Sequence, residues 1–580
     1  MRFPFILLCS SLCSLLGFTT LAPSTEVRIE AEGTTDSELI TDGWAWSGKA
    51  VQNRNAWQPL LRAVPPAGAP TGDVHIWLRH RHGPVNFKII EGGNQVELGW
   101  SWASSDDFQW AHFGPFPATR LAGGLLFIRD AGKNLAQVDC VVLSDSDKAP
   151  ADPPMVAREG LEEIRVAWPS TGPATTGLSF GLNLTHGYSV SHQSNPKYQA
   201  GLKTMRPGFV RLLDGGINGA STTDNGLYDL AAKRLDPVKV ARMCTYWKGL
   251  APDMMINLSG WPAWMDANAD GFLDADQVQA FAASCADLVR LVNISGKVGV
   301  HWWEPTNERD EAYWKEGRHA ELSQIHIACA TAMKAVDPTI KIGGPAAARP
   351  DHRDDIAAFV KAAGSSLDFL SWHAYACGTA SESDANVFAR AKIIAKEGAV
   401  LQQQCAALVA PRELPGFFNE YNISWTWETR DPRMTDQFSA VFDALVMTES
   451  ANNGVTSTAA WNECDGVYGK MDLEWNLRPS SQVFTIANRE MVGQRGVVEA
   501  GLTAPAVLAI TRTDGSRALM LTNTETRPVR IHLTGMPKAT VSVSTLSTGT
   551  LTTRTLDWSL ASELPGRSVT WMIEGKVSGR

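Results

Sequence analysis

Tyrosine is scarce in this chain, 8 residues against 21 tryptophans, and several other features are missing altogether. No cluster of lysine and arginine occurs, and the formal net charge is −9. Nucleic acid would want a basic face, so that class of partner is excluded. No Cys-x-x-Cys pair occurs, and beyond residue 24 the cysteines are Cys140, Cys244, Cys285, Cys329, Cys377, Cys405 and Cys464. An odd count without paired spacing argues against a disulfide scaffold or a zinc cluster. One bridge, Cys377–Cys405, stays open, while Cys285 and Cys329 read as small buried side chains in helices. After residue 24 no apolar run is long enough to span a bilayer. Internal repeats and low-complexity tracts are also lacking.

The start, "MRFPFILLCSSLCSLLGFTTLAPSTEV", places one arginine before a short apolar run. That is the pattern of a secretory leader, with cleavage expected after Ser24. Cys9 and Cys13 lack the small residue just before them that a lipid anchor needs. The expectation is a secreted or periplasmic protein. At 580 residues the chain exceeds one core and must divide into domains.

Residues 25–147 alternate apolar and polar positions in short runs, "VRIEAE", "VHIWLRH", "NFKIIEG", "LLFIRDA" and "AQVDCVVLS", which predicts a β-sandwich. A linker is expected over 148–158, where "APADPP" lacks core-forming residues. From 159 to 495 short apolar runs alternate with helical segments. The runs are "GLSFGLN", "FVRLLDGG", "MMINLSGW", "VGVHWWEPTNE", "IKIGGP", "DFLSWHAYA", "GFFNEYN" and "TSTAAWNE". Eight such runs predict a central (β/α)8 TIM barrel, whose function sits at the C-terminal strand ends. A doubly wound sheet is disfavoured because no glycine-rich phosphate loop follows the first run. Residues 496–580 return to alternation and predict a second β-sandwich, to which "LEEIRVAW" ahead of the barrel can add a strand.

Glu308 closes the fourth run and Glu420 closes the seventh. Strands four and seven face each other across an eight-strand barrel, so both carboxylates point into one mouth. Two such groups can divide acid and nucleophile roles, and at about 5 Å apart they perform retaining glycoside hydrolysis. In that reading Glu308 is acid/base, Glu420 is nucleophile, and Asn307 binds a hydroxyl beside the reacting carbon. The bland reading of a lone Asn-Glu at a strand end is a helix cap or solvated turn; the matching acid on strand seven reverses it. Trp302, Trp303 and Trp372 read as core, whereas Trp261, Trp264, Trp425 and Trp427 follow strand ends and are sugar-stacking candidates. Asn183, Asn257 and Asn422 stand in Asn-x-Ser/Thr sequons at strand ends and read as site-lining side chains, not glycan sites.

The ordered set "FVRLL", "WEPTNE", "SWHAY" and "FFNEYN" resembles the clan A retaining glycoside hydrolases and is most similar to glycoside hydrolase family 39, the β-xylosidase and α-L-iduronidase group. The similarity covers roughly 170–580. It implies that Arg211 lies near the nucleophile, that His373 and Tyr375 line the site from strand six, and that Trp461 floors the sugar site. It implies a polysaccharide or oligosaccharide substrate and no organic cofactor. The chain departs from the family in having Arg309 after the acid/base, where proline is usual, and Tyr421–Asn422 after the nucleophile. Those departures leave other clan A specificities open, such as β-galactosidase, arabinofuranosidase or endo-glycanase. A catalytically silent polysaccharide-binding protein is the rival from another class.

Two segments suggest structural calcium. "DANADGFLDADQ", residues 266–277, sets Asp266, Asn268, Asp270, Gly271 and Asp274 at EF-hand positions, with Gln277 where the bidentate glutamate belongs and Asp276 one place early. The N-terminal domain is similar to carbohydrate-binding modules of families 6 and 35, and through that resemblance Glu30, Glu32 and Asp139 would hold a calcium ion. Plain strand alternation with outward charges is the competing account of those three.

Overall fold

A computed structural model describes residues 25–31, 37–41, 49–53, 57–103, 108–129, 136–150, 162–168, 179–213, 226–427, 430–455, 457–501, 504–536, 540–557 and 562–575. Residues 1–24 and Glu32 lie outside the described residues. The chain divides into two units, Met1–Arg158 and Glu159–Arg580.

In the first unit the alternating runs pair into two antiparallel sheets. One joins strands 38–41, 49–52, 137–144, 73–81 and 109–117, with 26–30 added on 137–144. The other runs 59–63, 125–129, 83–91, 94–103. Because strand side chains alternate faces, one face of each sheet supplies the apolar interior: Leu61, Val85, Phe87 and Phe127 from one, Ile76, Leu78 and Val141 from the other.

The second unit contains a closed barrel of eight parallel strands. These are β1 (Ser179–Leu184), β2 (Phe209–Leu212), β3 (Asp253–Asn257), β4 (Trp302–Glu304), β5 (Lys341–Ala347), β6 (Phe369–Cys377), β7 (Gly416–Ser424) and β8 (Ser457–Ala460). Each falls on one of the eight apolar runs. Helices start at side-chain caps: Asn195 accepts from the Lys197 and Tyr198 amides, Asp236 from Val238 and Lys239, and Ser383 from Asn386. In the first two a proline follows the cap, where its missing N–H costs nothing. The bottom of the barrel is plugged by Phe209, Met255, Phe369, Phe417 and Ala459, with Trp302 packed against them. Burial of such side chains stabilises by about 1.5–3 kcal/mol each. Above this plug the interior turns polar, with Asn183, Arg211, Asn257, Glu304 and Asn419 all fully buried.

The C-terminal strands form a six-stranded sheet with 493–495 at one edge and 550–557 at the other, and a four-stranded one. The lead-in strand Glu162–Ala167 belongs to the latter, antiparallel to Val497–Ala500 and parallel to Val529–Thr534. The Cys377–Cys405 bridge does not form: all seven cysteines among the described residues are buried free thiols. Cys285 and Cys329 do face each other across two packed helices, Sγ to Sγ 3.9 Å.

Candidate active site

Arg211 on β2 organises the polar layer. Its Nε donates to Glu304 Oε2 at 2.8 Å, one terminal nitrogen to Asn183 Oδ1 at 2.8 Å and Glu420 Oε2 at 3.1 Å, and the other to Asn307 Oδ1 at 2.6 Å. Glu304 accepts further bonds from Asn257 and Asn419. A buried ion pair survives only when its remaining donors and acceptors are met, and these four asparagines meet them. Burial opposes the Arg211 charge, but Glu304 and Glu420 outweigh it and raise its pKa. Burial likewise pushes the Glu304 carboxyl up, and Arg211 with its hydrogen bonds brings it below the usual value.

Asn419 and Glu420 are consecutive, yet Asn419 reaches Glu304 while Glu420 reaches Arg211 and Tyr375. Strict alternation would send them to opposite faces. The register between β6 and β7 slips here, with Trp372 opposite Phe418 but His373 opposite Glu420. The extra residue in β7 is a bulge, which re-aims its neighbours. Glu308 is placed by a different device. It adopts a left-handed backbone, φ 50°, and its N–H donates to the carbonyl of Ala346, itself at φ 53°. Non-glycine residues pay for that conformation, and sites that do are concentrated where function needs an unusual side-chain direction.

The two devices bring the acids together. One carboxylate oxygen of Glu308, one of Glu420 and a ring nitrogen of His373 all lie within 4.8 Å of one another. His373 Nδ1 is 2.7 Å from Glu308 Oε1 and 3.7 Å from Glu420 Oε2. The Tyr375 hydroxyl donates to Glu420 Oε1 at 2.7 Å. The acids differ in access: the Glu308 side chain is 37% exposed and that of Glu420 only 7%. Burial lowers the His373 pKa, but Glu420 and Glu308 reverse this and hold the imidazole above its ordinary value. Burial alone would raise Glu308, and the hydrogen bond and charge of His373 bring it below the usual range. Glu420 stays raised, because burial prevails over His373, Arg211 and Tyr375.

Both acids line a cavity of about 1090 Å³ with Tyr375, Trp461, Trp425 and Trp427. Trp461 is half-buried and its carbonyl accepts from Asn422. Trp261 does not line the cavity: it is 4% exposed, its face covered by the Arg309 guanidinium 4.7 Å away and its edges by Phe281 and Tyr313. It belongs to the core. Trp264 packs edge-on to Tyr228, away from the cavity lining. The three sequon asparagines are buried and hydrogen-bonded, Asn183 and Asn257 in the polar layer and Asn422 to the end of β8.

Sequence reasoning missed Glu304, Asn419, Asp310 and Glu463. Asp310, buried two residues past Glu308, accepts from the Ala348 amide, and desolvation raises its pKa to about 7. Glu463 holds the loop after β1 through the amides of Thr185 and His186 and the hydroxyl of Tyr198, and so sets His186 in the cavity wall.

The calcium candidates of residues 266–277 hydrogen-bond within their own loop. Asp266 accepts from the Asp270 and Gly271 amides, Asp270 from Asn268 and the Phe272 amide, and Asp274 from the Ala267 amide. No three acidic oxygens of this loop converge within 4.8 Å, among the described residues. In the N-terminal unit Asp139 is fully buried and bound to Arg79 at 2.6 Å, and Glu30 is paired with Arg28.

A parallel eight-stranded barrel with paired acids above β4 and β7 is the class of architecture this site defines. The particular likeness is to Glycosyl hydrolases family 39, whose family model matches residues 286–472. That segment holds Asn307, Glu308, His373, Tyr375, Glu420 and Trp461. A β-xylosidase of Caldicellulosiruptor saccharolyticus is 26% identical over 234 residues, 37% of this chain and 47% of the relative. The chain therefore spans about half the length of that relative. Among solved structures, a glucosidase from Croceicoccus marinus superposes with TM-score 0.54 at 15% identity, over 72% of this chain and 100% of that one. A β-xylosidase from Caulobacter crescentus gives 0.51 at 17%, over 71% and 99%. An α-L-arabinofuranosidase from Thermotoga maritima gives 0.53 at 13%, over 71% and 99%. Residues 286–472 are thus similar to family 39 glycosyl hydrolases, and the solved structures share the barrel fold.

Proposed function

We propose that this protein is a retaining glycoside hydrolase, with Glu308 as acid/base and Glu420 as nucleophile, acting on xylosidic or related pentosidic linkages. The observation that carries the reading is the approach of the two carboxylates within 4.8 Å over one cavity. That spacing suits direct attack and leaves no room for an intervening water, as inversion requires. Exposure supports the division of roles. Glu420, deep and held by Arg211 and Tyr375, lies where a sugar ring would rest above it. Glu308, more open, can meet both a leaving oxygen and the water that follows.

In the first step Glu420 attacks the anomeric carbon as the glycosidic bond breaks, and the departing oxygen takes a proton from Glu308. In the second, Glu308 takes a proton from water, which displaces Glu420 and releases the sugar. Because the Glu308 carboxyl lies below its usual range and His373 above its own, the resting proton sits on the imidazole 2.7 Å away and passes through Glu308 to the leaving oxygen. The proton Glu308 later takes from water returns to His373. The xylosidase and arabinofuranosidase likenesses make pentosides the first substrates to try. Turnover of an aryl glycoside panel, its loss in Glu420→Ala and azide rescue of Glu308→Ala test the assignment. Activity surviving in Glu420→Ala would remove it.

Export is proposed from residues 1–24 and checked by sequencing the mature N-terminus. Calcium at 266–277 is proposed on donor spacing alone; a calcium titration that leaves the thermal midpoint unmoved would end that proposal. A carbohydrate-binding role for the N-terminal unit is proposed from its strand pattern and checked by the polysaccharide affinity of the isolated unit.

A further inference from the structure

Only part of the cavity is taken up by the acid pair. At about 1090 Å³ it is just above the range for pockets holding drug-sized ligands, well beyond the need of a single sugar ring. Its wall continues past Tyr375 along the ends of β6 and β7 to Cys377, Gly378, Trp425 and Trp427. Trp425 and Trp427 are 60% and 71% exposed, in a chain whose other barrel tryptophans are mostly buried. An exposed indole pair continuous with a polar cavity calls for an occupant that is apolar on its faces and polar at its edges. A sugar ring has that character, with C–H faces and equatorial hydroxyls.

The Trp425 ring is built in place. Its backbone N–H donates to the Cys377 carbonyl at 3.1 Å, and the neighbouring Thr426 hydroxyl donates to the Gly378 carbonyl at 2.9 Å. The indole lies against Gly378 so closely that a Cβ there would fall 2.1 Å from the ring. Ordinary contacts begin well beyond that distance, so the glycine is what lets one side of the indole rest on the backbone. The rest of the ring is left toward the cavity. The indole is held from behind and so loses little side-chain freedom when something binds against it.

We infer that Trp425, seated on Gly378 and continued by Trp427, is a stacking subsite for a sugar ring remote from the bond that is cut, so that the protein takes oligosaccharide chains in preference to disaccharides. The inference rests on the glycosidase reading for the identity of the ligand, and its test separates the two. Binding is measured calorimetrically on full-length protein carrying Glu420→Gln, with xylo-, gluco- and arabino-oligosaccharides of increasing length. Affinity is expected to rise with length until the Trp425 site is reached. Adding Trp425→Ala should remove about three- to tenfold of that gain, the scale of one lost aromatic contact. Gly378→Ala, which keeps the indole but displaces it, should remove a comparable share. Both variants are checked for an unaltered thermal midpoint, and Trp427→Ala provides an independent exposed position. In the protein with Glu420 intact, the ratio of kcat/KM for a long oligosaccharide to that for an aryl monoglycoside should fall by the same factor in Trp425→Ala. A length dependence untouched by Trp425→Ala and Trp427→Ala, or no gain with length in any series, overturns the subsite. Length-dependent binding through Trp425 in a protein that cleaves nothing would refute the hydrolase reading and leave the subsite standing.

Discussion

Removing the Tyr375 hydroxyl tests how the proposed nucleophile is kept charged. Glu420 is pushed above its ordinary 4.5 by burial, against which His373, Arg211 and the Tyr375 hydroxyl hold its ionised form. The active form is the anion, so activity is gained as pH rises through the Glu420 pKa. That places the acid limb of kcat/KM above the ordinary carboxylate range. Tyr375→Phe deletes a 2.7 Å hydrogen bond to Oε1. A hydrogen bond to a charged group contributes about 1.5–3 kcal/mol. Its loss raises the Glu420 pKa further and moves the acid limb toward higher pH. At pH values on that limb kcat/KM should fall about tenfold to a hundredfold, and the deficit should shrink as pH rises. The assay is a pH profile of aryl xyloside hydrolysis for both proteins. An acid limb that stays where it was, with an equal loss at every pH, would refute the argument, because it would mean that the hydroxyl orients Glu420 without affecting its charge.

Other outcomes follow from the same geometry. His373→Phe removes the proton donor beside Glu308, so the loss should be large for substrates with poor leaving groups and small for dinitrophenyl glycosides; equal losses would contradict proton holding. Asp310 is raised to about 7 from 3.8, so the folded state binds an extra proton between those values, and stability is lost as pH rises through about 7. Asp310→Asn should therefore gain thermal stability over the parent at alkaline pH, by a few kcal/mol at most, and little at acidic pH, as a melting series will show. Lys470 and Asp443 form a fully buried pair at 2.6 Å, and Lys470→Met strands the carboxylate, destabilising by about 3–5 kcal/mol in chemical denaturation. With every described cysteine free, a reducing agent should leave the thermal midpoint unchanged.

The barrel could be read from the chain because its period is carried locally: each apolar run ends in polar residues, and all eight runs became strands. Glu308 and Glu420 were legible for the same reason, as acids ending runs four and seven. Glu304 was not. It sits inside "WWEP" as one more charge, and its meaning comes from Arg211, which is 93 residues away in sequence and 2.8 Å away in space. A carboxylate within an otherwise apolar strand was the available signal. Asn419 was hidden because alternation assigns it the face opposite Glu420, and only the bulge in β7 turns both inward. Trp261 misled in the other direction. It follows a strand end as Trp425 does, but Arg309, in the place where the family carries proline, lies over its face and closes it off. Position after a strand does not distinguish a covered indole from an open one; the neighbouring side chain does.

In the proposed reaction Glu308 and Glu420 act on one sugar from opposite sides of its anomeric carbon, in two displacements. Following hydrolysis of an aryl glycoside by proton NMR, before the product mutarotates, tests this most directly. The first sugar released is expected to have the anomeric configuration of the substrate; release of the opposite anomer would contradict two displacements at one carbon.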